Sequence, residues 1–522
     1  MTLHLSVLDI AILVAYHVVV LGIGVSLVRR TRGGDDLFLA GRRLGWFPVG
    51  VSLFASNVSS TTLIGLAGAA YTWGIAVAGY EWMAAPVLVV FAAVLLPLYL
   101  GQRVTTVPEF LERRFDRRCR LYFSALTLVT NIVVDTAGSL FAGAMVIRTF
   151  FPEIGLFPAA LALALFAGAY TAAGGLAAVV YTDVVQAVIL LAGSCLIAIL
   201  CFARFGFDWS AASAGIDPSH LSLLLPADDP NLPWPGLLVG VPLLGFYFWG
   251  TNQFIVQRTL AVRSLRDGRL ACLFAGLLKL GVLFVMVLPG VMALKIVPDL
   301  PRGDMVFPAL IRELLPSGLL GIVLAGLIAA IRSSVDSTLN SAATLVTVDF
   351  VQPLAPGLDD RLAGRIGRIA IGVFMVLSAA LAPAIARFEG LFNYLQLALA
   401  YLVPPFVVLF TVGVLWRRGT AAGAFWSLVA GHAVSAVLFV LVELAGTLSI
   451  HFTLVPGVVW LAGAAVFVGV SLADRRRAPP GQAAVFRRSL LAEAPGVPWP
   501  LDWRVLAGGL LVLTAALVVA FR

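Results

Sequence analysis

Charge is what this sequence has least of. Asp, Glu, Lys and Arg make up 12% of its 522 residues, against about a quarter in soluble proteins, and only Lys279 and Lys295 are lysines. With 61% hydrophobic residues, the chain cannot cover its apolar surface in water, so a soluble globule is excluded. Cysteine is sparse as well: Cys119, Cys195, Cys201 and Cys272 include no CxxC pair, which leaves neither a disulfide framework nor a zinc site. Five histidines (His4, His17, His220, His432, His451) are scattered, and no HExxH, GxSxG or Ser-His-Asp grouping lies in an apolar run, which argues against an enzyme. The first residues, MTLHLSVLDI, lack a basic n-region and an A-x-A cleavage site, so 7–28 reads as a retained span.

What the sequence has instead is long apolar runs, rich in Gly and Pro, at 7–28, 45–70, 76–100, 119–149, 153–173, 176–203, 236–257, 270–298, 316–348, 366–387, 390–415, 420–444, 453–473 and 503–521. Each can cross a bilayer core about 30 Å thick, which predicts an all-α polytopic membrane protein with about 14 transmembrane helices. Most of the 35 Lys and Arg fall in alternate connections, among them Arg29, Arg30, Arg32, Arg42, Arg43, Arg113, Arg114, Arg117, Arg118, Arg258, Arg263, Arg475, Arg476 and Arg477. Basic loops stay cytoplasmic, so both termini are expected outside and the net charge of +8 is a topology signal rather than a nucleic-acid footprint. Residues 1–44 supply an extra helix and a basic loop, and 416–522 the accessory helices. The ten helices between split at the outer connection 204–235 into 45–203 and 236–415. Five is odd, so the halves enter the membrane oppositely, a five-plus-five inverted repeat whose first helices are broken at a binding site. Polar interruptions stand at both matching places: Ser56-Asn57-Val58-Ser59-Ser60-Thr61-Thr62, and Gly245 to Gly250 followed by Thr251-Asn252-Gln253.

Ionisable groups at membrane depth are costly and mark function or a partner. Glu81 and Gln396 lie near the outer ends of their helices and offer oxygen to hydroxyl donors. Lys279 is near the midplane, and a buried ammonium calls for an acceptor; Glu81 is the simplest candidate, and a purely structural pair is the plainer reading. Phe248 and Trp249 offer apolar faces for a ring. Deeper, Ser333 and Ser334 follow Ala330, and two acids, Asp183 and Asp336, require a cation, which Arg332 four residues before Asp336 can supply as well as an ion can. Asp135 is a further intramembrane acid without an assigned role.

The segments DDLFLAGRRLGWFPVGVSLFASNVSS, TAAGGLAAVVYTDVVQ, FWGTNQFIVQRTLA, SSVDSTLNSAATLVTVDF and FNYLQLALAYLVPP resemble the solute:sodium symporter family, in particular its sodium/glucose cotransporter branch, over about residues 36–430. The resemblance implies sodium-coupled uptake of a small polar solute, a sugar or polyol, in the cell membrane, with sodium as the co-transported ion and no obligatory protein partner. It implies a sodium site at the carbonyls of Ala55, Val58 and Ala330 and the hydroxyls of Ser333 and Ser334, and a second sodium at Asp183, Asp336 and Ser337. Asp336 replaces the hydroxyl usual in the sugar branch, which leaves the number of ions open. The solute site maps to Asn57, Glu81, Trp249, Lys279 and Gln396, with Phe248 where a gating tyrosine is usual. Thr62 and Gly245 stand where a galactose-binding relative has Gln and Asn, so the sugar's identity is not implied. The alternatives are a carboxylate solute, which Glu81 disfavours unless Lys279 is free, and a transporter-like sensor, for which nothing after residue 430 is long or soluble enough.

Overall fold

A computed structural model describes residues 6–28, 39–316, 318–355, 357, 359–474, 481–493 and 496–522, with the side chains of 21, 23–28, 149–150, 166–178 and 360–361 outside the description. All fourteen apolar runs are helical. Among the described residues, nine helices are individually long and apolar enough to span a membrane; a tenth arises when Leu391–Leu402 and Pro404–Leu415, bent by 51°, count as one. Pro404 and Pro405 lack the N–H groups that would continue the ladder, which accounts for the bend. The runs 153–173 and 176–203, expected as two helices, form one helical stretch, Leu156–Ala203. Gly174 and Gly175 retain their N–H groups and let it run through.

The helices meet where small residues let backbones approach. An ideal Cβ on Gly50 would lie 3.0 Å from the Ala271 carbonyl, and one on Gly276 3.3 Å from the Ala85 Cα. Leu265–Leu280 is thereby pressed onto Trp46–Asn57 and Ala84–Val90. Three residues beyond Gly276 comes Lys279, and four before Ala85 comes Glu81, so the antiparallel packing itself delivers the two charges to one another. Trp82 Nε1 donates to the Leu280 carbonyl at 3.1 Å and fixes this register.

Not every arginine read from the sequence as a loop charge stands in water. Arg29, Arg30, Arg32, Arg475, Arg476 and Arg477 lie outside the described residues. Arg114 is 0% exposed and donates to the carbonyls of Gly413 (3.0 Å), Trp416 (3.0 Å) and Gly419 (3.4 Å). Gly413 stands in the last turn of Pro404–Leu415 and the other two follow its end, where a guanidinium fork is suited to gathering several carbonyls. Arg258 is 1% exposed.

Two clamps tie distant elements. Asp9, on the first helix, accepts from Gly318 N at 3.1 Å and Gly321 N at 2.6 Å, and so caps the start of Leu320–Thr344 from outside. Asp349, in the π-helical turn Leu345–Val351, is 0% exposed. It accepts from Arg120 Nε (3.0 Å) and Nη2 (2.7 Å), Thr106 (3.1 Å) and Ser124 (2.6 Å).

Candidate functional site

The helix Trp46–Asn57 stops at Val58 and resumes in a π-helical turn, Thr62–Leu66. A helix end frees four carbonyls. That of Phe54 is taken by Val58 N at 2.9 Å; that of Asn57 is shared by Ser59 N at 2.9 Å and Thr62 Oγ1 at 2.7 Å. The second interruption has the same logic: Trp234–Gly250 ends at Thr251, with Thr251 N, Asn252 N and Thr251 Oγ1 all gathered by the Tyr247 carbonyl, and Gln253–Leu260 follows. Both breaks expected from the polar runs are therefore present, each with small polar side chains closing part of its own end.

Between them lies a cavity of about 130 Å³. Asn57, Thr62, Glu81, Phe248, Trp249, Lys279 and Gln396 all line it, so the structure brings together every residue read as solute-binding. Lys279, 1% exposed, donates to both Glu81 and Asn57, which joins the first break to the ion pair directly. Its ammonium also stands 6.0 Å from the Phe54 ring. Thr62 reaches the cavity, but its hydroxyl already serves the Asn57 carbonyl, so its part in the site is to hold the break. Phe248 and Trp249 meet edge to face at 5.3 Å and give the wall an apolar corner. Asp135 lines the wall from the π-helical turn Asn131–Thr136, with Oδ2 lacking a hydrogen-bond partner among the described residues, and so can accept from a solute hydroxyl.

Ala55, Val58, Ala330 and Ser333 are buried, while Ser334 lines the cavity beside Thr338. Ser334 Oγ donates to the Ala330 carbonyl at 3.1 Å, leaving its oxygen lone pairs free to face an ion. Ser333 Oγ donates to Asp183 Oδ1 at 2.6 Å. Hydroxyls and main-chain carbonyls are neutral oxygens, the kind of donor that suits sodium.

Asp183 is the hub of a second cluster, and here sequence reading missed its main partner. Its Oδ2 accepts from Ser52 (2.6 Å), Ser56 (3.4 Å) and Arg258 Nη2 (3.0 Å), and the same Arg258 nitrogen donates to Ser337 at 2.7 Å. Arg332 pairs with Asp336 at 3.3 Å. The requirement that two buried acids find a cation was legible; that Arg258, 75 residues from Asp183, would supply it was hidden by its place beside a loop.

A profile described as Sodium:solute symporter family matches residues 37–431. Over 483 residues the chain is 33% identical to the sodium/glucose cotransporter 4 of Danio rerio, covering 85% of this chain and 73% of that one. It is 36% identical to the sodium/myo-inositol cotransporter 2 of Homo sapiens (83% and 70% covered). With the sodium/glucose cotransporter of Vibrio parahaemolyticus the identity is 34% (82% and 84% covered). Among solved structures, a substrate-bound, outward-open Na+-coupled sialic acid symporter has the same fold, with a TM-score of 0.79 at 22% identity, covering 91% of this chain and 99% of that one. Mhp1, a nucleobase-cation-symport-1 family transporter, follows at 0.56 and 13%, with 88% and 100% covered.

Proposed function

From a chain that belongs to the sodium:solute symporter family, we propose a sodium-coupled symporter of a sugar or polyol, working by alternating access, with both termini on the outer face. The working division is 45–203 and 236–415 as the two inverted halves, 1–44 and 416–522 as accessory segments, and 204–235 as the outer connection. The curated relatives are named for glucose and myo-inositol, both neutral polyhydroxy solutes.

The observation that carries the solute class is the state of Lys279. It is the one cation among the cavity-lining residues, and it is engaged by Glu81 and Asn57. A carboxylate solute would meet Glu81 and Asp135 with no free positive charge, whereas hydroxyl groups can donate to both acids and to the Asn57 and Gln396 oxygens. Asn57, Glu81, Lys279, Gln396, Phe248 and Trp249 are assigned to the solute, and Ala55, Val58, Ala330, Ser333 and Ser334 to sodium. Uptake of labelled glucose, galactose, myo-inositol and sialic acid into proteoliposomes, with and without an inward sodium gradient, tests the assignment. Sodium-driven uptake of a neutral solute is expected; sodium-driven uptake of sialic acid alone sinks it.

Asn57 touches Lys279 while its neighbours Ala55 and Val58 are assigned to the ion, so the two ligands share one broken helix. Sodium should therefore lower the solute's dissociation constant, and the solute should lower sodium's by the same factor. Calorimetric titrations that find solute affinity indifferent to sodium, or equally supported by potassium, contradict this. Ser334→Ala removes one ligand, and loss of an interaction with a charged partner is worth about 1.5 kcal/mol or more. Sodium affinity should fall by about tenfold while the folded fraction stays near that of the unaltered protein. Normal sodium binding by Ser334→Ala refutes the site.

A further inference from the structure

We propose that the solute this symporter prefers is an amino sugar or amino polyol, whose ammonium group is bound by Asp135 in the central cavity. The inference rests on the sodium-coupled sugar or polyol reading above and narrows the solute within it. Two acids and one cation line the cavity, and they do not pair off evenly. Lys279 is spent on Glu81 and Asn57, so that part of the wall is neutral. Asp135 has no such answer: its Oδ2 is a buried oxygen without a hydrogen-bond partner among the described residues. The amide of Asn252 stands close to the carboxylate and brings a dipole but no charge.

The carboxylate is also held in place. Asp135 lies in the π-helical turn Asn131–Thr136, an irregularity of the kind that gathers at functional sites. On one side of it Tyr394 donates to the Val133 carbonyl at 2.7 Å; on the other, Ser139 donates to the main-chain carbonyl of Asp135 at 2.8 Å and the hydroxyls of Thr136 and Thr338 meet at 2.9 Å. These bonds fix the turn from both sides and keep Asp135 in the wall. A fixed acid facing a cavity at membrane depth is costly, and serving as counter-ion to a bound ligand is one of the few uses that keep it there. A solute hydroxyl would satisfy the oxygen but leave the charge unbalanced. An ammonium does both, and its hydrogen bonds to a carboxylate are about twice as strong as those between neutral groups. The sodium ligands assigned above do not include Asp135, so the charge that answers it falls to the solute.

Sodium-driven uptake into proteoliposomes tests this by setting glucosamine, kanosamine, galactosamine and an inosamine against their hydroxyl parents glucose, galactose and myo-inositol. At about pH 6, where the amines are charged, at least one should show a KM about tenfold below its parent's, and at about pH 9, where they are neutral, that advantage should vanish. Parent and amine are measured at the same pH, so titration of the protein itself cancels in the ratio. Asp135→Asn keeps the shape of the side chain and should erase the advantage at the lower pH. The pH comparison uses the unaltered protein, so it decides the matter even where that variant fails to fold. Amines that never outdo their parents, or an advantage that survives at the higher pH or in folded Asp135→Asn, overturn the proposal, while sodium-driven uptake of the parents keeps the sugar or polyol reading. Sodium-driven uptake of none of these solutes overturns that reading and this one with it.

Discussion

Glu81→Gln and Lys279→Met should each abolish solute uptake and each lower stability by ~3–5 kcal/mol, the cost of leaving one member of a buried ion pair without the other. Lys279 is 1% exposed and Glu81 8%, and the pair is their principal charge neutralisation in the cavity wall. The double variant strands no ion, so its thermal stability should recover well beyond the sum of the single effects, a coupling visible in a double-mutant cycle. Uptake should not recover, because the solute's hydroxyls lose both an acceptor and a donor. If the pair were only a brace, refolding the cavity with two neutral side chains would restore transport along with stability. Measuring Tm and uptake on the same four proteins separates the two roles: recovery of uptake in the double variant rejects a part in solute binding.

Arg120→Met should destabilise the protein by ~3–5 kcal/mol, and Asp349→Asn by only ~1–3 kcal/mol. The asymmetry follows from what each change leaves behind. Without Arg120, the Asp349 carboxylate stays buried at 0% exposure with only the hydroxyls of Thr106 and Ser124 to face it. Without the Asp349 charge, Arg120 still holds Glu112 at 2.5 Å, where the glutamate side chain is 34% exposed. Thermal unfolding in detergent gives the order directly. Equal losses, or a larger loss for Asp349→Asn, would mean that the carboxylate is shielded by something other than Arg120. Because this cluster ties the segment around 106–124 to the end of the helix bearing Ser333 and Ser334, Arg120→Met should also slow uptake without touching the cavity.

The helices were legible because burying backbone in lipid leaves few solutions: apolar runs long enough to span must be helical. The two breaks were legible from Ser56–Thr62 and from Thr251-Asn252, since polar clusters at membrane depth need a reason to be there. Glu81 and Lys279 found each other on paper because a buried charge demands a partner and the choices are few. Arg114, Arg258 and Asp349 did not. Near a helix end, composition cannot say whether a guanidinium turns to water or inward, and their partners lie far along the chain, 299 residues away for Gly413 and 229 for Arg120. Thr62 was placed at the solute site by its position alone, where a galactose-binding relative has Gln; only the geometry shows its hydroxyl bound to the Asn57 carbonyl. Asp135 was correctly flagged as an expensive acid, yet that it faces the cavity depends on which side of the helix packs inward.

The cap that Asp9 places on Gly318 and Gly321 gives the first helix a stake in ion binding. That helix lies outside the ten assigned to the two proposed halves, and by composition it looks like a spare membrane anchor. Its single acid, however, holds the leading end of the same rod that carries Ala330, Ser333 and Ser334 along its length. Rods move as units, so a push applied where the chain begins is felt at the proposed sodium ligands more than two turns further on. A bulky tag fused close to Ser6, or a shortened chain that starts at Leu39, should therefore shift the transporter's affinity for its driving ion and not merely its yield in the membrane, which sodium titration of the purified proteins checks.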